Sequence, residues 1–129
     1  DLMIVVSDNT GTNMMLERMS ADAVNARMDQ LGLRATRSMR KVRGDGTALK
    51  PAEGWSKAGL REENKKYGLG SSTAWEMVQL LEKLEAGKAV SAEADREMIA
   101  ILKRQQYTDG IGRRLGQYSI ASKSGSLDH

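Results

Sequence analysis

The stretch "VVSDNTGTN", residues 5–13, interrupts an apolar run with three small polar residues, Ser7, Asp8 and Asn9, and then turns helical. Ser, Asp and Asn side chains accept hydrogen bonds from the free N–H groups at a helix start, so one reading is a cap, with Thr10 or Thr12 extending it. Such clusters occur wherever helices begin. A second reading needs a partner elsewhere, and Lys123-Ser124-Gly125 supplies one. In a chain of this composition a Lys-Ser/Thr-Gly triplet is expected by chance about 0.1 times, and Ser-Asp-Asn about 0.02 times. Their joint occurrence, in this order and 116 positions apart, is far rarer than either alone.

Composition bounds what the pair can do. The 129 residues are about one domain's worth of chain. With 40% hydrophobic and 29% charged residues and no run of 18 apolar ones, the chain reads as globular rather than disordered or membrane-spanning. A net charge of +3 permits an anionic ligand without requiring nucleic acid. No Cys is present, which excludes disulfides, thiolate catalysis and cysteine metal sites. The single His129 is the last residue, so no His-based catalytic pair, no metal site and no other cofactor is expected. The opening "DLMIVV" lacks the basic segment of a signal peptide and an initiator Met, and reads as a cut start.

Helical signals dominate the rest. Caps and apolar spacing predict helices over about 11–18, 21–31, 73–86 and 92–105. Ser20-Ala21-Asp22 opens the second and Gly32 ends it. In "TAWEMVQLLEKLEAG", Thr73 and Glu76 match a capping box, Ala74, Met77, Val78, Leu81 and Leu84 form an apolar stripe, and Gly87 is the stop. Ser91 caps the last helix, with acids in its first turn and Lys103 and Arg104 in its final one. The eight methionines fall mostly on these apolar faces and are expected in the core. Between Met39 and Gly70 the period disappears, around the sole Pro and clustered Gly. That stretch reads as a long loop with one helical turn near Arg61–Lys66. Trp55, Leu60, Tyr67 and Leu69 favour an Ω-type loop packed on the body over a disordered linker. "QYSIASKSGS" alternates enough for a strand or extended segment carrying Lys123.

Ser-Asp-Asn followed by Lys-Ser/Thr-Gly, with a Ser-x-x-Lys upstream, marks class A β-lactamases and penicillin-binding proteins. The chain resembles that family over nearly its whole length. "VVSDNTGTNMMLERM" looks like the helix after the first motif, "NARMDQLGLRATR" like the approach to the Ω loop, "YGLGSSTAWEMVQLLEKLEAGKAVS" like the helices beyond it, and "ILKRQQYTDGIGRRL" like the run into the active-site strand. The resemblance implies a mostly α chain, the helical portion of the α/β serine β-lactamase or DD-peptidase fold, ending on one active-site β-strand. Residues 1–129 would be a partial domain: helices to 38, the Ω-type loop over 39–70, helices over 71–116 and the start of the sheet from 117.

Carried onto matching positions, the resemblance makes Ser7 a proton relay to the leaving nitrogen, Asn9 a holder of the substrate's side-chain amide and Asp8 a brace for the turn. Lys123 would meet the substrate carboxylate and orient Ser7, Ser124 would hydrogen-bond that carboxylate beside Gly125, and the Ser126 N–H would form half an oxyanion hole. The substrate implied is a β-lactam or a D-Ala-D-Ala-like small molecule, whose carboxylate lies near a reactive carbonyl. A periplasmic or secreted location follows from the same resemblance. Ser7, Asp8 and Asn9 then read as a catalytic wall that also starts a helix.

The sequence departs from the family in three places. The nucleophile should precede Ser7, yet the one Ser-x-x-Lys, Ser38-Met39-Arg40-Lys41, follows it. About 0.8 such matches are expected by chance, so it reads as a decoy, with the nucleophile on an N-terminal segment outside this chain. The Ω-loop Glu that activates the deacylating water has no counterpart in "SMRKVRGDG"; Glu53, Glu62 and Glu63 lie further on and read first as surface acids. Gly112 stands where the family usually has Pro. Other readings are a penicillin-binding or esterase-like relative that acylates without efficient turnover, and a non-catalytic helical binding module. A nucleic-acid module would use Lys103, Arg104, Arg113 and Arg114, but these mix with acids and lack paired aromatics.

Overall fold

A computed structural model describes residues 1–42 and 54–125. The element order is α1 (Leu2–Val5), α2 (Asn9–Met19), α3 (Ala21–Gln30), β1 (Arg37–Ser38), a 3₁₀ turn (Glu62–Tyr67), β2 (Gly70–Ser71), α4 (Ala74–Glu85), α5 (Ala92–Leu102) and a 3₁₀ turn (Ile111–Arg114). Among the described residues the chain is mostly helical, as the resemblance implies, with one small sheet. It divides into two compact units, Asp1–Asp8 with Leu84–His129, and Asn9–Lys83.

In the second unit the local signals set the element ends. Ser20, at φ +65°, caps α3 by accepting from the Ala23 N–H at 3.1 Å. Gly32, at φ +79°, ends it: the Gly32 N–H donates to Asp29 and the Leu33 N–H to Met28, at 3.0 and 2.8 Å. This two-bond wrap needs a left-handed residue, which Gly adopts without a Cβ clash. It drives Leu33 fully inside; Ala21 and Met39 are the other buried apolar residues described in this unit. β1 pairs antiparallel with β2, Arg37 opposite Ser71 and Ser38 opposite Gly70. Gly70 is required there, because an added Cβ would lie 2.5 Å from the Arg37 carbonyl oxygen.

In the first unit α1 packs on α5. The Gln105 side chain donates to the Ile4 carbonyl at 2.8 Å, the Gln106 N–H to Val5 at 3.0 Å, and Arg104 pairs with Asp1 at 2.8 Å. Ser91 caps α5 by accepting from the Ala94 N–H at 3.2 Å. One turn later Asp95, 0% exposed, accepts from the Ala89 and Val90 N–H groups at 2.7 and 2.9 Å, locking the connection that leads into the helix.

Four expectations are corrected. The stripe on α4 is not core: Met77, Val78 and Leu81 are 36%, 47% and 56% exposed, since periodicity marks an apolar face and only a facing element buries it. Met39 is buried, but Met14, Met15, Met19 and Met77 are exposed for the same reason. The capping box on α4 is half made. Thr73 accepts from the Glu76 N–H at 3.1 Å, whereas the Glu76 carboxylate turns away from Thr73 and accepts from the Ala35 N–H and the Thr36 hydroxyl at 2.9 and 2.6 Å. Residues 119–125 form no strand, because a strand exists only with a neighbour to complete its ladder, and the sheet is built elsewhere, from β1 and β2. In the loop, the helical turn forms at Glu62–Tyr67 and Trp55 is half-buried under the Arg40 guanidinium, 5.7 Å from the ring centre, but Leu60 and Tyr67 face solvent.

Candidate functional site

Ser7 sits just past α1 at φ +56°, a backbone conformation that costs a residue with a Cβ. The Asp8 N–H reaches back to the Leu2 carbonyl at 3.2 Å, closing the chain around Ser7, and Asp8 itself is half-buried. Strain held by its surroundings is a recurrent property of working residues. Across the first unit, the Ser122 N–H donates to the Leu102 carbonyl at 3.3 Å and anchors the terminal segment to the end of α5. The next residue is Lys123, whose Nζ donates to Ser7 Oγ at 2.7 Å and to the Ser124 carbonyl at 2.5 Å.

The pair has a definite polarity. An ammonium can only donate, so Ser7 Oγ is the acceptor and its own hydroxyl hydrogen is free to point toward a third atom. Partial burial lowers the Lys123 pKa below the ordinary lysine value of 10.5. Lys123, Ser124 and Gly125 also line a half-open cavity of about 460 Å³ whose walls include Tyr107, Tyr118 and Ile120. The geometry can pass a proton along a lysine–serine line and hold an anion beside it.

Of the remaining sequence-derived residues, Asn9 opens α2 in the second unit and is exposed. Ser126 and Glu53 lie outside the described residues. Glu62 and Glu63 are exposed in the 3₁₀ turn, and Glu62 pairs with Lys65 at 2.5 Å. Among the described residues no group of three or more His, Cys, Asp or Glu side chains is placed to hold a metal ion, and no helix is long and apolar enough to cross a membrane.

Ser38 and Lys41 are not arranged as a nucleophile and its base. Ser38 lies on β1, where extended backbone points residues three apart to opposite faces, whereas helical spacing would stack them. Lys41 Nζ is paired with Glu17 at 2.5 Å.

Two residues that sequence reasoning passed over organise this segment. Asn25, on α3, donates to the Ser38 carbonyl at 2.9 Å and accepts from the Ser38 N–H at 2.7 Å. Asn13, on α2, grips Val42 in the same two-bond way, at 2.9 Å each. A primary amide has one donor and one acceptor side, matching one residue of extended main chain as a neighbouring strand would. Both asparagines are buried, Asn25 8% and Asn13 4% exposed. The available signal was their place inside helices, which disfavour Asn unless its amide is needed elsewhere.

The model of the beta-lactamase enzyme family matches residues 1–129. The crystal structure of beta-lactamase from Sphaerobacter thermophilus DSM 20745 is similar at 29% identity and a TM-score of 0.66, over 88% of this chain and 36% of that one. The chain therefore spans about a third of the length of that enzyme. A search of curated sequences returns no match. A family match over the full 129 residues, a related fold, and Ser-Asp-Asn joined to Lys-Ser-Gly through Lys123 and Ser7 lead to one conclusion: the chain belongs to the beta-lactamase enzyme family.

Proposed function

We propose that these residues are the proton-relay and carboxylate-binding part of a serine hydrolase that opens β-lactam amide bonds through an acyl-enzyme. The hydrogen bond from Lys123 Nζ to Ser7 Oγ carries this reading. The nucleophile comes from a Ser-x-x-Lys outside these 129 residues. Its Oγ bonds to the lactam carbonyl carbon as its hydroxyl proton passes to the lysine of the same Ser-x-x-Lys, and as the C–N bond breaks the nitrogen takes the Ser7 hydroxyl proton. The proton taken up by that lysine returns to Ser7 Oγ, while Lys123 keeps its charge, orients Ser7 and holds the substrate carboxylate with Ser124. The Ser126 N–H supplies half of the oxyanion hole, and Asn9, two residues from Ser7 in sequence, binds the side-chain amide. A β-lactam, or a D-Ala-D-Ala end of the same shape, is the substrate class, and the protein acts in the periplasm or outside the cell.

Deacylation needs a base to activate water, and residues 38–42, the described ones that follow Arg37, carry no carboxylate. Lys41 is committed to Glu17, and the residue gripped by Asn13 is the apolar Val42. This favours a relative that acylates readily and turns over slowly. Rapid mixing of the complete protein with a chromogenic cephalosporin tests it: a burst of product precedes a slow phase, and Lys123→Ala slows the burst. Because charge on Lys123 is what meets the carboxylate, the burst rate falls as pH rises through its lowered pKa, below 10.5. Fast steady-state hydrolysis with no burst, or a burst untouched by Lys123→Ala, refutes the assignment.

A further inference from the structure

In the second unit, apart from Ser7 and Lys123, a cavity of about 420 Å³ is lined by Arg34, Arg37, Arg61, Asn64, Tyr67 and Ser72 among others. We propose that it binds a small oxyanion of the phosphate class. The three guanidinium groups are not equivalent. Arg37 is committed: its Nη1 donates to the Leu33 and Thr36 carbonyls at 3.2 and 2.8 Å, and its Nη2 pairs with Asp29 at 2.5 Å. Arg34 and Arg61 are exposed, and among the described residues their guanidinium groups meet no hydrogen-bond or ion-pair partner.

Two unmatched positive charges at one concavity repel each other unless an anion lies between them. A planar guanidinium fork presents paired N–H donors that match the oxygens of a phosphate or carboxylate. A carboxylate has one charge and two oxygens, enough for one fork. A phosphate dianion has the charge and the oxygens for both, and the Tyr67 hydroxyl and the Asn64 amide hydrogen not given to the Ala58 carbonyl can donate to further oxygens, whereas the Ser72 hydroxyl is given to Thr36 Oγ1 at 2.8 Å. Two acids lie near the lining residues: Asp29 is paired with Arg37, and the Glu76 oxygens are turned to the Ala35 N–H and the Thr36 hydroxyl, which reduces their opposition to an incoming anion without removing it. Solvent-exposed forks and two nearby acids set the affinity on the order of 1 mM. The site is independent of the hydrolase reading.

The test is a nitrogen–proton correlation NMR titration of the protein with inorganic phosphate, run beside sodium chloride at matched ionic strength and beside sodium acetate. The expected result is saturable shifts at the arginine side-chain N–H groups and along residues 34–37 and 61–73 with phosphate alone. Arg34→Gln and Arg61→Gln each weaken the fit by about fivefold, as loss of one exposed charge pair does, and the double variant abolishes it. Lys88→Gln, a surface change in the first unit, leaves it intact. Shifts that chloride or acetate reproduces, that rise linearly without saturation, or that survive the double variant overturn the proposal.

Discussion

Removing the Asp95 side chain should loosen α5 at its start. Asp95 is 0% exposed and is the acceptor for the N–H groups of Ala89 and Val90, at 2.7 and 2.9 Å. In Asp95→Ala the Ala89 N–H, on a residue only 5% exposed, loses the carboxylate acceptor, at about 1–3 kcal/mol. Val90 is 62% exposed, so water can replace the lost oxygen and its share is about 0.5 kcal/mol. Deleting the carboxylate also ends the desolvation of a buried charge, which offsets part of the loss. The net destabilisation is then about 2 kcal/mol. Ser91→Ala, which removes a single cap bond, should cost about 1 kcal/mol, so the order of the two variants is diagnostic. Urea unfolding followed by far-ultraviolet ellipticity gives both values, and hydrogen exchange locates the effect: Ala89 and Val90 amides should exchange faster in Asp95→Ala while α3 amides do not change. An Asp95→Ala protein within about 0.5 kcal/mol of the parent, with unaltered exchange at both amides, refutes the reasoning.

Asn25→Asp keeps the acceptor for the Ser38 N–H but sets a carboxylate oxygen against the Ser38 carbonyl, so it should destabilise by about 2–4 kcal/mol in the same urea assay. Asn25→Ala should cost less, because it leaves no buried charge. Glu76 is held below its ordinary pKa of 4.5, first by the Thr36 hydroxyl and then by the Ala35 N–H. The folded state therefore binds the proton more weakly than the unfolded one, and the stabilisation is full above 4.5 and lost as pH falls through the lowered value. Glu76→Gln should flatten the acid limb of a stability–pH curve; an unchanged limb assigns the acid loss to other groups.

What local chemistry decides was readable from residues alone. Gly32, Ser20, Thr73 and Ser91 act where their side chains or their lack of one satisfy the nearest main chain, and a helix end needs nothing more distant. The Ser7–Lys123 pair was readable for a different reason: a chemical motif implies its partner whatever the separation. Long-range choices were hidden. Nothing adjacent tells Glu76 to prefer Ala35 and Thr36 over Thr73, or Asn13 and Asn25 to hold main chain from the segment after Arg37. The α4 stripe shows the limit of periodicity, which names an apolar face and is silent on what meets it. The alternation around Lys123 has the same limit, since a strand is a property of two segments.

Intact-mass spectrometry of the complete protein after addition of penicillin tests whether Ser7 and Lys123 serve acyl transfer to a β-lactam, as proposed above. The expected result is a persistent species heavier by one whole penicillin, forming far more slowly in Lys123→Ala and in Ser7→Ala. An adduct that forms as fast in both variants as in the parent, or no adduct together with no hydrolysis, contradicts it.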